Sequence, residues 1–124
     1  MNDAVVPQDP IGRMSTVVRW SGRAVVVRVA GEVDMLTAPH LEDVVSGVLR
    51  ETPEAAVIDL SEVAFLSVAG VSVLVRANQR TEPGALRVVA TGRLVPRILQ
   101  LTGLTSLLTI YPSLDAALSG SPAR

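Results

Sequence analysis

A chain of 124 residues with eleven basic side chains, all of them Arg, against twelve acidic ones and a formal charge of −1 has no clustered basic face, which excludes a phosphate-reading footprint of the nucleic-acid type. The absence of Cys removes disulfides, thiolate zinc sites and thiol catalysis together, and suits a reducing cytoplasm. No stretch approaches the roughly 18 consecutive apolar residues of a membrane span, and the length suits one domain with one core.

Apolar residues make up 48% of the chain, but Trp20, Phe65 and Tyr111 are the only aromatics, so Val, Leu, Ile and Ala must fill the interior. That composition favours a parallel sheet covered by helices. Residues 1–14 carry two prolines and two aspartates with no long apolar run and read as a flexible lead-in to a domain at 15–119. Residues 15–20 and 24–29 are β-branched runs around Ser21-Gly22-Arg23, the spacing of a hairpin. After Gly31-Glu32-Val33-Asp34, Thr37 can cap a helix with Pro39 in its first turn and Leu41, Val44, Val45, Val48 and Leu49 on one face, ending near Pro53. Residues 55–60 form a short apolar run, the mark of a buried strand, and Ser61-Glu62-Val63 reads as a turn before Ala64-Phe65-Leu66.

Ser67 can cap the second helix, with Val68, Val71, Leu74 and Val75 as its core stripe. Residues 86–90 predict a strand, 94–101 a helix with Val95, Ile98 and Leu99 inward, and Gly103 its stop. Residues 107–111 predict a last strand, and Ser113 caps a terminal helix carrying Leu114, Ala117 and Leu118, followed by a tail at 120–124. The order is β-β-α-β-α-β-α-β-α.

Little of this supports catalysis. His40, the single histidine, could join Asp34, Asp59, Ser67 or Ser72 in a hydrolase triad, but no G-x-S-x-G elbow is present, and a solvated or capping histidine accounts for it. One His and no Cys argue against a metal site, and a chain without Lys has no P-loop. Glu32 and Asp34 read as a turn with helix-entry charges rather than an acid and base pair. The segment from Asp59 to Val71 joins a buried strand to a helix through small residues, the kind of place where partners dock. On the residues alone, Ser67 as a plain N-cap and Gly70 as a packing glycine is an equally good reading.

Three blocks, VAGEVDMLTAPHL, VIDLSEVAFLSVAGVSVL and RILQLTGLTSLLTIYPSLDAAL, resemble in order and spacing the anti-sigma factor antagonist family of STAS domains, over residues 17–118. The resemblance implies an α/β fold: a mixed sheet of about five strands with about four helices packed mainly on one face. It implies a bacterial, cytoplasmic, non-enzymatic regulator without cofactor or metal. Such a protein captures an anti-sigma factor, usually a kinase-like ATPase, and so frees a sigma factor. It binds no nucleic acid, does not insert into a membrane, and is a monomer or a weak dimer.

In similar proteins, phosphorylation of a serine in a D-S-[SA]-G pattern at the start of the second helix ends the capture. Aligned on Phe65 and Gly70, the aspartate of that pattern falls on Ser67 and the phosphoacceptor on Val68, which has no hydroxyl. Ser67 is then the nearest alternative phosphoacceptor, and Ser72 lies one turn on. The resemblance places partner binding at Glu32, Asp34, Thr37, Ser67, Val68, Ala69, Gly70 and Val71, with Asp59 supporting the loop. It also admits a STAS subunit of a membrane lipid or anion transport complex, although a short chain with no attached membrane segment favours the free regulator.

Overall fold

The computed structural model describes the backbone of residues 3–7 and the whole of residues 12–120. The elements run β1 (Asp3–Pro7), β2 (Met14–Ser21), β3 (Ala24–Val33), α1 (Ala38–Leu49), β4 (Ala55–Leu66), α2 (Val68–Gln79), β5 (Leu86–Val89), α3 (Leu94–Leu101), β6 (Thr109–Tyr111) and α4 (Leu114–Ser119). The six strands lie side by side in sequence order. β1, β2 and β3 pair antiparallel, and β3 through β6 pair parallel. Each parallel step passes through a helix, as such crossovers require.

Side chains alternate across the sheet and divide it into two faces. Val25, Val27 and Val29 of β3 join Ile58 and Leu60 of β4 in the large core, together with Leu41 of α1, Leu74 of α2 and Leu99 of α3. Their neighbours Val26, Val57, Val89 and Tyr111 point the other way and close over Ala117 of α4. The expected mixed sheet with helices mainly on one face is therefore present, with α4 as the one helix on the reverse among the described residues. Burial on both faces explains why the first half of β4 reads as an apolar run broken only by the buried Asp59. Among the described residues, no helix is long and apolar enough to cross a membrane.

Several expectations change. The sheet has six strands because Asp3–Pro7, expected within a flexible lead-in, pairs with β2 along its free edge, where unpaired backbone groups invite another strand. Met14, also assigned to the lead-in, is buried in β2. The turn expected at Ser61-Glu62-Val63 is strand: β4 continues to Leu66, held by β3 alone once the pairing with β5 ends at Asp59. A half-paired strand exposes polar residues, so its composition imitates a turn. The last strand shrinks to Thr109–Tyr111 because Leu104–Ser106 forms a turn of 3₁₀ helix. Gly120 caps α4 in a left-handed conformation, and the rest of the expected tail, 121–124, lies outside the described residues.

Candidate functional site

Two loops meet where β3 and β4 end. On β3, Gly31 has φ +96°, and a Cβ there would lie 1.9 Å from the carbonyl oxygen of Arg13, so only glycine fits. The Glu32 amide donates to that same oxygen at 2.9 Å. Beyond Val33, the Asp34 carboxylate accepts the amides of Leu36 and Thr37, both at 2.9 Å. The Thr37 hydroxyl accepts the Asp34 amide at 2.8 Å and donates to the Glu32 carbonyl at 3.0 Å. These bonds, led by that from the Thr37 amide, hold the Asp34 carboxyl below the usual carboxylate range. Because the polar groups face inward to close the turn, Met35 and Leu36 are thrust outward, 79% and 83% exposed.

On β4, the Ser67 amide donates to the Val33 carbonyl at 2.8 Å, tying the start of α2 to the end of β3. The Ser67 hydroxyl caps α2 by accepting the Gly70 amide, though at a long 3.4 Å. α2 sits so low on the sheet that a Cβ on Gly70 would come within 2.7 Å of side-chain atoms of Leu66 and Val33. Its first residue, Val68, projects past the edge of the core and is 75% exposed. Met35, Phe65, Val68, Ile98 and Leu101 line a cleft of about 570 Å³ whose walls are almost wholly apolar. A contiguous exposed apolar surface beside ordered loops is characteristic of a protein-docking site.

The model of the STAS domain family matches residues 15–117. The chain belongs to the STAS domain family. It is similar to the anti-sigma-F factor antagonist RsfB of Mycobacterium tuberculosis, 35% identical over 96 residues that span 77% of this chain and 79% of that protein. The crystal structure of an anti-sigma factor antagonist from Mycobacterium paratuberculosis superposes with a TM-score of 0.82 at 39% identity, covering 86% of this chain and 92% of that one. The Bacillus cell fate determinant SpoIIAA in its phosphorylated form shares the fold, with a TM-score of 0.56 at 16% identity over 94% of this chain and 97% of its own.

Within this STAS domain the eight expected binding positions separate by role. Ser67, Val68 and Ala69 line the cleft and are at least partly accessible. Glu32 is half-buried and pairs with Arg13 at 3.4 Å. Thr37, 1% exposed, and Gly70 and Val71, both buried, shape the surface from beneath. Val68 is thus not part of the core stripe of α2; Gly70, Val71, Val73, Leu74 and Ala77 are. Met35, Phe65 and Leu101 went unassigned, although two apolar residues flanked by the turn-formers Asp34 and Thr37 were a readable signal.

The remaining candidates stand apart. Asp59 is buried on the reverse face, accepting the Ser61 amide at 2.9 Å and facing the Arg28 guanidinium at 3.6 Å, so it supports the strand from inside. His40 is neither solvated nor a cap. It is half-buried between α1 and β2 beside Trp20, and its Nε2 is shielded from water with no hydrogen-bond partner among the described residues. No hydrogen bond among those residues joins it to a serine or an aspartate.

Proposed function

We propose that this STAS domain is an anti-sigma factor antagonist that captures a kinase-like anti-sigma protein through the apolar cleft at the start of α2, so freeing a sigma factor. It works in the cytoplasm as a binding protein with no chemistry of its own. The observation that carries this reading is Val68: an apolar side chain, largely exposed, on the first turn of a helix whose base is fixed to β3. The names of the two mycobacterial relatives support it.

In a switch of the usual kind, a phosphoryl group adds about −1.5 to −2 charges, which an apolar partner surface repels. Valine cannot be charged in this way, so capture escapes that control and Val68 itself adds to the contact. A second reading keeps the switch and moves it to Ser67, whose hydroxyl is partly accessible and held only by the long bond from Gly70. Incubation with the cognate kinase separates the two: phosphate incorporation that disappears in Ser67→Ala supports the second reading, and no incorporation supports the first.

The central test is affinity capture from the native lysate with wild-type protein and Val68→Asp. Recovery of a kinase-like anti-sigma factor by the wild type alone is the expected result. Recovery of lipid or anion transporter subunits in its place would reassign the domain to a membrane transport complex.

A further inference from the structure

Beyond the cleft, exposed apolar surface continues along α3. On α3, Leu94, Ile98 and Leu101 recur at i, i+4 and i+7, and the stripe they form lies beside the inward face made by Val95 and Leu99. Leu94 and Leu101 are both exposed, Leu101 at 73%. One step further round the same helix, Arg93, Arg97 and Leu101 stand four residues apart in a row, so the wall of the cleft runs directly into two exposed guanidinium groups.

Those two arginines are poorly placed for the isolated domain. A pair of like charges four apart on a helix repels, and a cation at the N-cap opposes the helix dipole. Arg93 is the N-cap residue of α3, no side chain caps that helix, and its first turn holds no acidic residue. Elsewhere on the described surface several arginines meet acids, Arg13 with Glu32, Arg23 with Glu54, and Arg76 and Arg80 with Glu42, while Arg50 stands exposed but singly at the end of α1. Arg93 and Arg97 make no ion pair among the described residues. Local choices that oppose the stability of their own helix, beside an exposed apolar surface, mark a site shaped for something outside the chain.

The geometry points to a docking surface that extends from the cleft along α3 and receives an acidic face of the anti-sigma protein, its carboxylates meeting Arg97 and Arg93 while its apolar residues enter the cleft. This rests on the function proposed above and adds the chemistry of the partner. The apolar part holds the complex, and the arginines steer its approach and fix its register, the usual division of labour between buried and rim contacts.

The chain itself supplies a clean test, because it contains no lysine. Arg97→Lys installs the only side-chain amine, and a carbodiimide then joins that amine to any partner carboxylate in contact with it. The probe is the purified anti-sigma protein recovered by the wild type in the capture experiment. Arg97→Lys should give a one-to-one adduct mapped to an Asp or Glu of that protein. Arg50→Lys, also exposed but at the far end of α1 from the Asp34 loop, should give none above wild type. In parallel, Arg93→Glu/Arg97→Glu should weaken binding about tenfold or more at low salt, with the difference shrinking toward the wild-type value near 0.5 M salt. Equal labelling of the two lysine variants, or wild-type affinity in the double reversal at low salt, would overturn the acidic partner face. Val68→Asp losing capture in the same assay would then leave the antagonist reading standing; if the wild type captures no anti-sigma protein, both fall together.

Discussion

Asp34 illustrates how a polar residue can shape an exposed apolar surface by folding the loop that carries it. Its carboxylate is occupied by the amides of Leu36 and Thr37, and the result is that Met35 and Leu36 face outward. Because the folded loop depresses its pKa, the support it lends is fully present above the ordinary aspartate value of about 3.9 and is lost as pH falls through the lower value of the folded state. The amide resonances of Leu36 and Thr37 should therefore shift together as samples are taken from pH 5 to about pH 2. Asp34→Asn should abolish that titration, and an unchanged profile in the variant would show that another group controls the loop. Gly70 acts by having nothing on its Cα. Gly70→Ala drives a methyl group into Leu66 and Val33, with an overpacking cost of about 1–3 kcal/mol, partly offset by up to about 1 kcal/mol of better helix propensity. Urea denaturation should show a lower midpoint with an unchanged slope.

At the scale of elements, the bounds of α3 and the inward residues of α1 were legible in the sequence, because a helix that buries one stripe repeats it turn after turn and terminates at recognisable signals. Ser67 and Ser113 were legible as caps for the same local reason, each accepting an amide three residues on. What could not be read was set by neighbours distant in sequence. Val68 fits the helical period of the core stripe, yet α2 begins beyond the edge of the sheet, so the same period places it over open space. The second half of β4 looks like a turn because it pairs on one side only. The Asp34 loop owes its position to a break in register between β3 and β4 at Gly31 and Glu32, a bulge with no signature apart from an isolated glycine. Gly31→Ala should be the most damaging of the small substitutions. A side chain at that φ costs about 1–3 kcal/mol before the clash with the Arg13 carbonyl is added. Thermal unfolding followed by circular dichroism would register the loss, and a melting temperature equal to the wild type would refute the account of the bulge.

For the molecule as a whole, the division between the buried core and the exposed apolar surface runs along a single helical turn. The core is enclosed between one face of the sheet and α1, α2 and α3, with a smaller cluster behind it under α4, and neither cluster includes the exposed residues Met35, Phe65, Val68 and Leu101. A domain of this size has roughly 5–15 kcal/mol of stability in total, so a surface that contributed much of that could not be altered without unfolding it. Val68 and Val71 are three residues apart on one helix and test the separation directly. At Val68 an aspartate would stand in water near the positive end of the helix dipole, so Val68→Asp should melt within about 0.5 kcal/mol of the wild type, or slightly above it, while losing capture of the anti-sigma protein. At Val71, 6% exposed against the sheet, the same substitution buries an unpaired carboxylate and should cost about 3 kcal/mol or more. Paired melts of the two variants read this out. If Val68→Asp also lost several degrees, Val68 would belong to the core, and its failure to bind would say nothing about where the partner docks.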